Sequence, residues 1–231
     1  TAAERNIISG NNRNGIEIAY NVPGTLVQGN YIGTDAGGTL SLGNSLGGIW
    51  VGGGATGVTI GGTAAGAGNR IVNNPVGGLY TDTSGVSFTL LGNTFYNNTN
   101  LAIDLRNDGV TANDLGDADT GANNLQNFPV LTIATTDGSG QLVVKGSLNS
   151  TASSYYRIEF FANVAQDASG YGEGQTWLGF ANVATDASGN ASIDATLSVA
   201  VPVGRYISAT ATRSDSGYSS FTDTSEFSRN V

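Results

Sequence analysis

The sequence contains no cysteine, no histidine and no methionine. Without cysteine, the chain has neither a disulfide nor thiol chemistry. Without histidine, the Ser-His-Asp and Cys-His catalytic arrangements are excluded, and so are most zinc sites. The absence of an initiator methionine predicts a fragment or a mature form of a longer polypeptide, with any targeting segment upstream of Thr1.

Positive charge is also scarce. Lys145 is the single lysine, the arginines are scattered, and the net charge is −9. Proteins bind nucleic acids and anionic lipids through clustered lysine and arginine, so the sequence argues against both as partners. No apolar run approaches the length of a membrane-spanning helix, so we expect no membrane insertion.

Glycine is abundant, with 35 residues, whereas only 12% of the residues are charged. Together with much Asn, Ser and Thr, this composition suits tight turns between short strands. No stretch keeps the helical period of about 3.6 residues over three turns. The sequence therefore predicts a nearly all-β fold.

One short pattern recurs four times in the first half of the chain. Each copy opens with Asn and an apolar step, and 24 residues separate Asn6 from Asn30 (30 − 6) and Asn69 from Asn93 (93 − 69). The larger gap between Asn30 and Asn69 includes about nine extra residues in the polar, Gly-rich segment Thr34–Gly47. Insertions confined to turns leave the strand register of a repeat protein intact. We interpret this segment as a tolerated loop or, alternatively, as a loop that contacts a ligand.

The strands within each copy are too short to be stable alone but could stack on their equivalents in the next copy. We expect Ile8, Ile32, Ile71 and Phe95 in one inward column, and Ile18, Val51 and Ile103 in another. The four repeat asparagines would then form an amide ladder along the stack.

This pattern resembles the right-handed parallel β-helix of bacterial surface proteins and polysaccharide-active enzymes. The resemblance implies about four coils, and the right hand follows from the general rule for parallel crossovers. Trp50 and Tyr80 occupy matching places in successive coils. If they face outward they form an aromatic step suited to stacking on sugar rings. The alternative is that they fill the core or are covered by the neighbouring domain.

The segment 104–129 is dense in carboxylates. Oxygen ligands at alternate positions around a glycine suit Ca²⁺, and Asp117-x-Asp119-x-Gly121-x-Asn123 resembles the start of a calcium loop. It is not an EF-hand, since glycine stands at the fifth position and no Glu closes the loop. The alternative is a solvated acidic turn in which the side chains bond their own backbone. The predicted calcium ligands are Asp108, Asp114, Asp117, Asp119 and Asn123.

The repeat ends at Phe128-Pro129, which gives a predicted β-helix domain over 1–128 and a second domain over 129–231. From Val130 onward, longer alternating strands separated by turn signals predict an antiparallel, immunoglobulin-like β-sandwich of seven strands. Trp177 is expected in its core. In bacterial β-helix surface proteins a similar acidic segment closes the last coil before a following domain, so the resemblance implies the same role here.

These observations predict a non-catalytic structural or adhesive module of a large secreted or cell-surface bacterial protein, stabilised by calcium and contacting a glycan or a matrix component. The alternative is a polysaccharide-binding or polysaccharide-cleaving β-helix. A lyase of the kind that the resemblance suggests would need a basic residue beside bound Ca²⁺, for which Arg70 and Arg106 are the candidates. A glycosidase would need a carboxylate pair, and Glu17 has no obvious partner.

Overall fold

The computed structural model describes residues 4–20 and 22–231. The chain divides into two compact units. The first runs through Thr111 and includes Thr120–Asn124, and the second comprises Ala112–Asp119 and Leu125–Val231. A domain boundary at Pro129 stays a prediction. No helix in the described part of the chain is long and apolar enough to cross a membrane.

The first unit is built from short strands that pair with their equivalents about one repeat away. In the described residues they form three parallel sheets, with strand orders β1-β4-β7-β10, β11-β8-β5-β2 and β3-β6-β9. The predicted all-β fold with parallel strands is therefore confirmed, and it is compatible with a β-helix-like arrangement. The strands are β1 (Ile7–Ile8), β2 (Ile16–Ala19), β3 (Leu26–Val27), β4 (Tyr31–Ile32), β5 (Ile49–Gly52), β6 (Thr56–Gly61), β7 (Arg70–Val72), β8 (Leu79–Thr81), β9 (Ser87–Leu91), β10 (Thr94–Tyr96) and β11 (Ile103–Asp104).

Apolar side chains stack in register inside the first unit. Ile8 pairs with Ile32, Ile32 with Ile71, and Ile71 with Phe95, as the repeat predicts. Ile18 pairs with Val51, also as predicted. Stacking similar apolar side chains in columns removes their surface from water.

One predicted member of these columns is wrong. Ile103 pairs with Leu79, so it belongs to the column of Ile16 and Ile49 rather than to that of Ile18. Successive inward positions of a strand are two residues apart, so both columns face the core. The alternation of apolar residues in the sequence therefore cannot decide which of the two columns Ile103 joins.

The predicted asparagine ladder is present, and we call it the first ladder. Each Nδ2 donates to the Oδ1 of the next asparagine, at 2.9 Å from Asn6 to Asn30, 3.1 Å from Asn30 to Asn69 and 2.9 Å from Asn69 to Asn93. The backbone N–H groups of Asn6, Asn30 and Asn69 donate to the same three oxygens. The ladder thus satisfies buried backbone and side-chain groups together at one corner of the stack.

A second ladder runs along a neighbouring corner. Asn11, Asn44, Asn74 and Asn98 repeat the same geometry, with Nδ2–Oδ1 distances of 2.7, 2.9 and 3.2 Å. The backbone N–H groups of Asn11, Asn44 and Asn74 again donate to the next Oδ1. The stack is therefore held by two polar columns as well as by its apolar interior.

The inserted segment leaves the stack and returns to it. Thr34 and Ser41 form an antiparallel bridge at the base of the loop. Asp35 Oδ1 accepts hydrogen bonds from the backbone N–H groups of Thr39 at 2.7 Å and Leu40 at 2.9 Å. The loop is thus closed on itself, and the chain rejoins the stack where Asn44 enters the second ladder.

The second unit is antiparallel. Its described strands form a three-stranded sheet of order β12-β13-β16 and a four-stranded sheet of order β15-β14-β17-β18. A 3₁₀ turn, Ala122–Leu125, precedes them in the chain. The strands are β12 (Val130–Thr136), β13 (Leu142–Asn149), β14 (Tyr155–Asn163), β15 (Thr176–Ala184), β16 (Asn190–Leu197), β17 (Tyr206–Ser214) and β18 (Phe221–Thr224).

The core of the second unit is apolar and draws on both sheets, including Val144, Ile158, Phe160 and Ile193. Trp177 is not part of it, since 39% of its surface is exposed. The prediction of a core tryptophan is wrong, because successive residues of a strand face opposite sides of the sheet and the next residue of β15, Leu178, is the buried one.

Candidate functional site

The acidic segment brings three carboxylates together. Oxygen atoms of Asp114, Asp117 and Asp119 all lie within 4.8 Å of one another, and each side chain is half-buried. They belong to the short segment Ala112–Asp119, which is part of the second unit. Three of the five predicted calcium ligands therefore form one cluster, which we call the Asp114 cluster.

The backbone of the segment wraps around Asp114. Its carboxylate accepts hydrogen bonds from the N–H groups of Ala118, at 3.1 and 3.2 Å, and of Asp119, at 3.1 Å. Gly116 N–H donates to Asn149 Oδ1 at 2.7 Å, which ties the turn to the end of β13. This is the local, Asx-type bonding of the alternative interpretation, and it leaves further carboxylate lone pairs for a cation.

Both carboxylate oxygens of Asp117 accept hydrogen bonds from the second unit. Its Oδ1 accepts from the backbone N–H of Asn127 at 2.7 Å, and its Oδ2 accepts from the Ser150 hydroxyl at 2.7 Å. Burial raises the pKa of Asp117 and the negative charges of Asp114 and Asp119 act in the same direction, while the two hydrogen bonds oppose them. A hard divalent cation would relieve this repulsion between like charges.

The other two predicted ligands belong to the first unit and have partners there. Asp108 is exposed and lies 3.7 Å from the guanidinium of Arg106. Asn123 is fully buried: its Oδ1 accepts from the backbone N–H of Phe88 at 2.7 Å, and its Nδ2 donates to the Phe88 carbonyl at 3.0 Å. Asn123 therefore caps the last strand of sheet β3-β6-β9.

Trp50 and Tyr80 lie side by side on the outer face of sheet β11-β8-β5-β2. They are direct register partners and are half-buried, whereas Ile49, Val51 and Leu79 beside them are fully buried. Tyr80 Oη donates to Asn14 Oδ1 at 2.8 Å. Glycines make room for both rings, because a Cβ on Gly52 would collide with the Trp50 ring and a Cβ on Gly47 with the Tyr80 ring.

Carboxylates stand at both ends of this aromatic pair. Glu17 is the register partner of Trp50, and Asp104 is the partner of Tyr80. Glu17 is held by Arg13 at 3.1 Å and by Asn14 at 2.9 Å. The column from Glu17 to Asp104, which we call the aromatic column, thus presents two rings with the Glu17 carboxylate beside Trp50, a combination that suits a sugar ring and its hydroxyls. At the other end Asp104 is buried, and its carboxylate accepts hydrogen bonds from the backbone N–H groups of Asp108 and Gly109.

The two candidate lyase bases occupy different sheets. Arg106 follows β11, where its backbone N–H donates to Thr81 Oγ1 at 2.8 Å. Arg70 lies in β7, with its guanidinium 4.9 Å from the ring centroid of Tyr31. The sequence reading missed this pairing of Arg70 with Tyr31, although the signal was present, because each residue directly follows a ladder asparagine.

A scan against protein-family models finds no match for the chain, and a search of curated proteins finds none either. What the structure defines is a class: a nearly all-β chain with parallel sheets in its first unit and antiparallel sheets in its second.

Proposed function

We propose that the chain is a non-catalytic structural or adhesive module of a large secreted or cell-surface bacterial protein. In this proposal the first unit is a short right-handed parallel β-helix of four coils, and the second is an immunoglobulin-like β-sandwich. The single observation that carries the proposal is the pair of asparagine ladders. The polar side chains that recur in every coil form hydrogen bonds to the next coil, as in cross-β stacks.

The first ladder supports this proposal through burial as well as spacing. Asn30, Asn69 and Asn93 are at most 6% exposed, and each bonds to a neighbouring asparagine of the stack. Regular internal bonding of this kind produces a rigid spacer whose outer faces are free to vary. An acidic surface with few lysines keeps such a spacer soluble.

Incubation with a panel of polysaccharides tests the proposal against its catalytic alternative. The reducing ends released, and the absorbance of unsaturated uronate, should stay at the level of a protein-free control. Cleavage that disappears in Arg70→Ala or Arg106→Ala would replace the structural proposal with a lyase or hydrolase.

We also propose that the Asp114 cluster holds Ca²⁺. Support comes from the mutual approach of the three carboxylates, their partial burial and the solvent-shielded Oδ1 of Asp119. An ion bound only to the native state, present at 100 times its dissociation constant, stabilises that state by about 2.7 kcal/mol. Thermal unfolding in millimolar Ca²⁺ and in chelator measures this effect.

Two matched variants locate the ion. Asp117→Asn removes a charge from the cluster and should abolish the Ca²⁺-dependent rise in Tm. Asp108→Asn removes an equal charge at an exposed side chain paired with Arg106, so it should leave the rise intact. The same Tm with Ca²⁺ and with chelator in the unmutated protein would exclude a structural ion.

The aromatic column supports a second candidate function, glycan binding. Trp50 and Tyr80 lie in register on an outer face, and the Glu17 carboxylate lies beside Trp50. Aromatic platforms of this kind bind a sugar by ring stacking, and the polar groups around the rings provide specificity. Binding on a glycan array should be lost in Trp50→Ala and kept in Leu26→Ala, an exposed apolar residue on another sheet. Equal binding by both variants would remove this candidate.

A further inference from the structure

Two clefts open at one end of the second unit, and both are bordered by the connection between β16 and β17, residues 198–205. The first cleft, of about 150 Å³, lies against the end of β14 and the start of β15. The second, of about 260 Å³, lies against β12, β13 and the start of β17. Val201, Pro202 and Arg205 line both clefts.

The first cleft has an apolar wall. Ala162, Leu178 and Val201 line it, and all three belong to the buried core of the unit. An apolar cavity of about this volume accommodates one small ring. The cleft therefore has the size of the apolar part of a small molecule.

An amide of fixed orientation lines the same cleft. Gln175 Oε1 accepts a hydrogen bond from the backbone N–H of Val164 at 3.0 Å, and the Gln175 backbone N–H donates to Asn163 Oδ1 at 2.9 Å. The first of these bonds fixes which end of the side-chain amide is the acceptor, so Nε2 is the other end. Within residues 4–20 and 22–231, Nε2 donates to no protein acceptor, and its N–H groups remain for a ligand.

Arg205 adds a positive charge to the lining. It is half-buried, and in the described part of the chain its guanidinium forms no ion pair, hydrogen bond or cation–π contact. Arg213 and Arg229 also lack ion pairs, but they line neither cleft. What distinguishes Arg205 is its place beside an amide donor at the edge of an apolar cleft. No residue that lines either cleft carries a carboxylate, so the polar groups favour an anionic ligand.

We propose that the first cleft binds a small monocarboxylate whose apolar body is no larger than one ring, such as an aromatic or a branched short-chain acid. A planar guanidinium binds a carboxylate through two parallel N–H···O bonds, and the Gln175 amide donates to the same group. The apolar body packs against Leu178 and Val201, where its burial is favourable. This site is independent of the proposed structural function and of the Asp114 cluster, which is tied to Asn149 at the other end of β13.

The second cleft has no comparable set of open donors. The Thr136 hydroxyl already donates to the Val201 carbonyl at 2.8 Å and accepts from the Gly138 N–H at 2.9 Å. The Thr135 side chain is exposed to water. The carboxylate is therefore assigned to the first cleft, where the guanidinium and the amide both line the wall.

An NMR titration with benzoate in the presence of chelator tests the proposal. Benzoate should shift the side-chain N–H signals of Gln175 and the methyl signals of Leu178 until the site is saturated. Acetate carries the carboxylate without the ring, and benzamide carries the ring without the charge. Each lacks one of the two contributions and should bind at least about tenfold more weakly. Equal binding of benzamide would overturn the carboxylate, and equal binding of acetate would overturn the apolar body.

N-acetylphenylalanine separates a free acid from the C-terminus of a peptide, because it carries a carboxylate and a ring on a peptide-like backbone. We expect it to bind more weakly than benzoate, since the cleft has room for one small ring and little more. Equal or tighter binding would assign the cleft to peptide C-termini and would overturn the free acid.

Variants connect the binding to the cleft. Arg205→Gln should raise the Kd for benzoate about tenfold, since it removes a charge-assisted pair of hydrogen bonds. Gln175→Glu keeps an acceptor for the Val164 N–H and replaces the amide donor by a carboxylate oxygen, so it should abolish binding. Arg213→Gln makes the same charge change at a half-buried residue that lines neither cleft, and it should leave the Kd unchanged.

Two results would overturn the proposal: no saturable shift with benzoate in the unmutated protein, or an unchanged Kd in Arg205→Gln with a native spectrum. If Arg205→Gln does not fold, Arg205→Lys takes its place. It keeps the charge and loses the planar fork, so the Kd should rise several-fold, and an unchanged Kd would again overturn the proposal. Neither result touches the structural proposal, which fails instead if the protein cleaves polysaccharides.

Discussion

Asn69 is bound to Asn93 twice. Its Nδ2 and its backbone N–H both donate to the Oδ1 of Asn93, at 2.9 and 3.0 Å. Asn69 Oδ1 in turn accepts from Asn30, so one buried side chain bonds to the repeats on both sides of it. The cohesion of the parallel stack depends on such shared amides.

Asn69→Ala should therefore destabilise the first unit strongly. The change removes the acceptor of the buried Asn30 N–H groups. It also removes the donor to the Val27 carbonyl, which Asn69 Nδ2 contacts at 2.7 Å in the unmutated protein. Unsatisfied buried groups cost about 1–3 kcal/mol each, so we expect a loss of about 2–4 kcal/mol in urea unfolding. Asn6→Ala, at the exposed end of the same ladder, is the control and should cost less than about 1 kcal/mol. Equal losses in the two variants would contradict the ladder as a buried network.

Glycine is required where one repeat lies directly on the next. A Cβ on Gly48 would lie 2.5 Å from Ile71 Cγ2 and 2.6 Å from the Gly78 carbonyl oxygen. Because neighbouring strands of the stack would have to separate, Gly48→Ala should cost about 1–3 kcal/mol. Gly85→Ala is the matched control, since its Cβ would meet nothing within 4 Å, and it should be neutral or slightly stabilising. Thermal unfolding of the pair measures the difference.

The inserted loop should loosen in acid. Backbone hydrogen bonds from Leu40 and Thr39 lower the pKa of Asp35 from 3.8 to about 2. A lowered pKa in the folded state stabilises the loop above the unfolded value, and this contribution disappears as the pH falls from about 4 to about 2. Amide exchange of Thr39 and Leu40 should accelerate over that range. Asp35→Asn should remove most of the pH dependence, and a variant that keeps it would show that another group is responsible.

Arg157 and Glu159 form a buried ion pair in the second unit. Arg157 Nη2 lies 3.0 Å from Glu159 Oε1, the two side chains are 8% and 2% exposed, and the guanidinium packs 3.5 Å from the Phe180 ring centroid. Arg157→Met removes the cation that is paired with a buried carboxylate and should cost about 3–5 kcal/mol.

The exposed pair of Lys145 and Asp194 provides the control. These groups also lie 3.0 Å apart, but their side chains are 50% and 62% exposed. Lys145→Met should cost about 0–1 kcal/mol, because water screens the pair. Guanidinium unfolding curves of the two variants should therefore separate clearly, and coincident curves would contradict the role of burial.

The repeat predicted the first ladder but not the second. Asn11, Asn74 and Asn98 each follow a first-ladder asparagine by five residues, whereas the inserted loop displaces Asn44 from that spacing. A fixed-interval search therefore loses the column at its second member. In the structure Asn44 still lies in line with the other ladder asparagines, because the inserted residues form a loop that is closed by the bridge between Thr34 and Ser41.

The acidic segment was also predicted only in part from the sequence. Its carboxylate density predicted a cluster, and Asp114, Asp117 and Asp119 do come together. Sequence spacing could not show that Asn123 caps Phe88 or that Asp108 pairs with Arg106. Each of these side chains has a partner that depends on how the backbone turns between them.

The strand-rich fold, the period of the stack and the alternation of buried and outer positions could all be predicted from the residues, because they follow from local spacing and side-chain polarity. Packing in three dimensions sets which columns align, as with Ile103 beside Leu79, and which outer residues meet, as with Arg70 over Tyr31. The physical reason is that the register between repeats depends on how the backbone turns between strands, and these turns differ from repeat to repeat. A slip of one residue in the pairing of a strand would move its side chains to the opposite face.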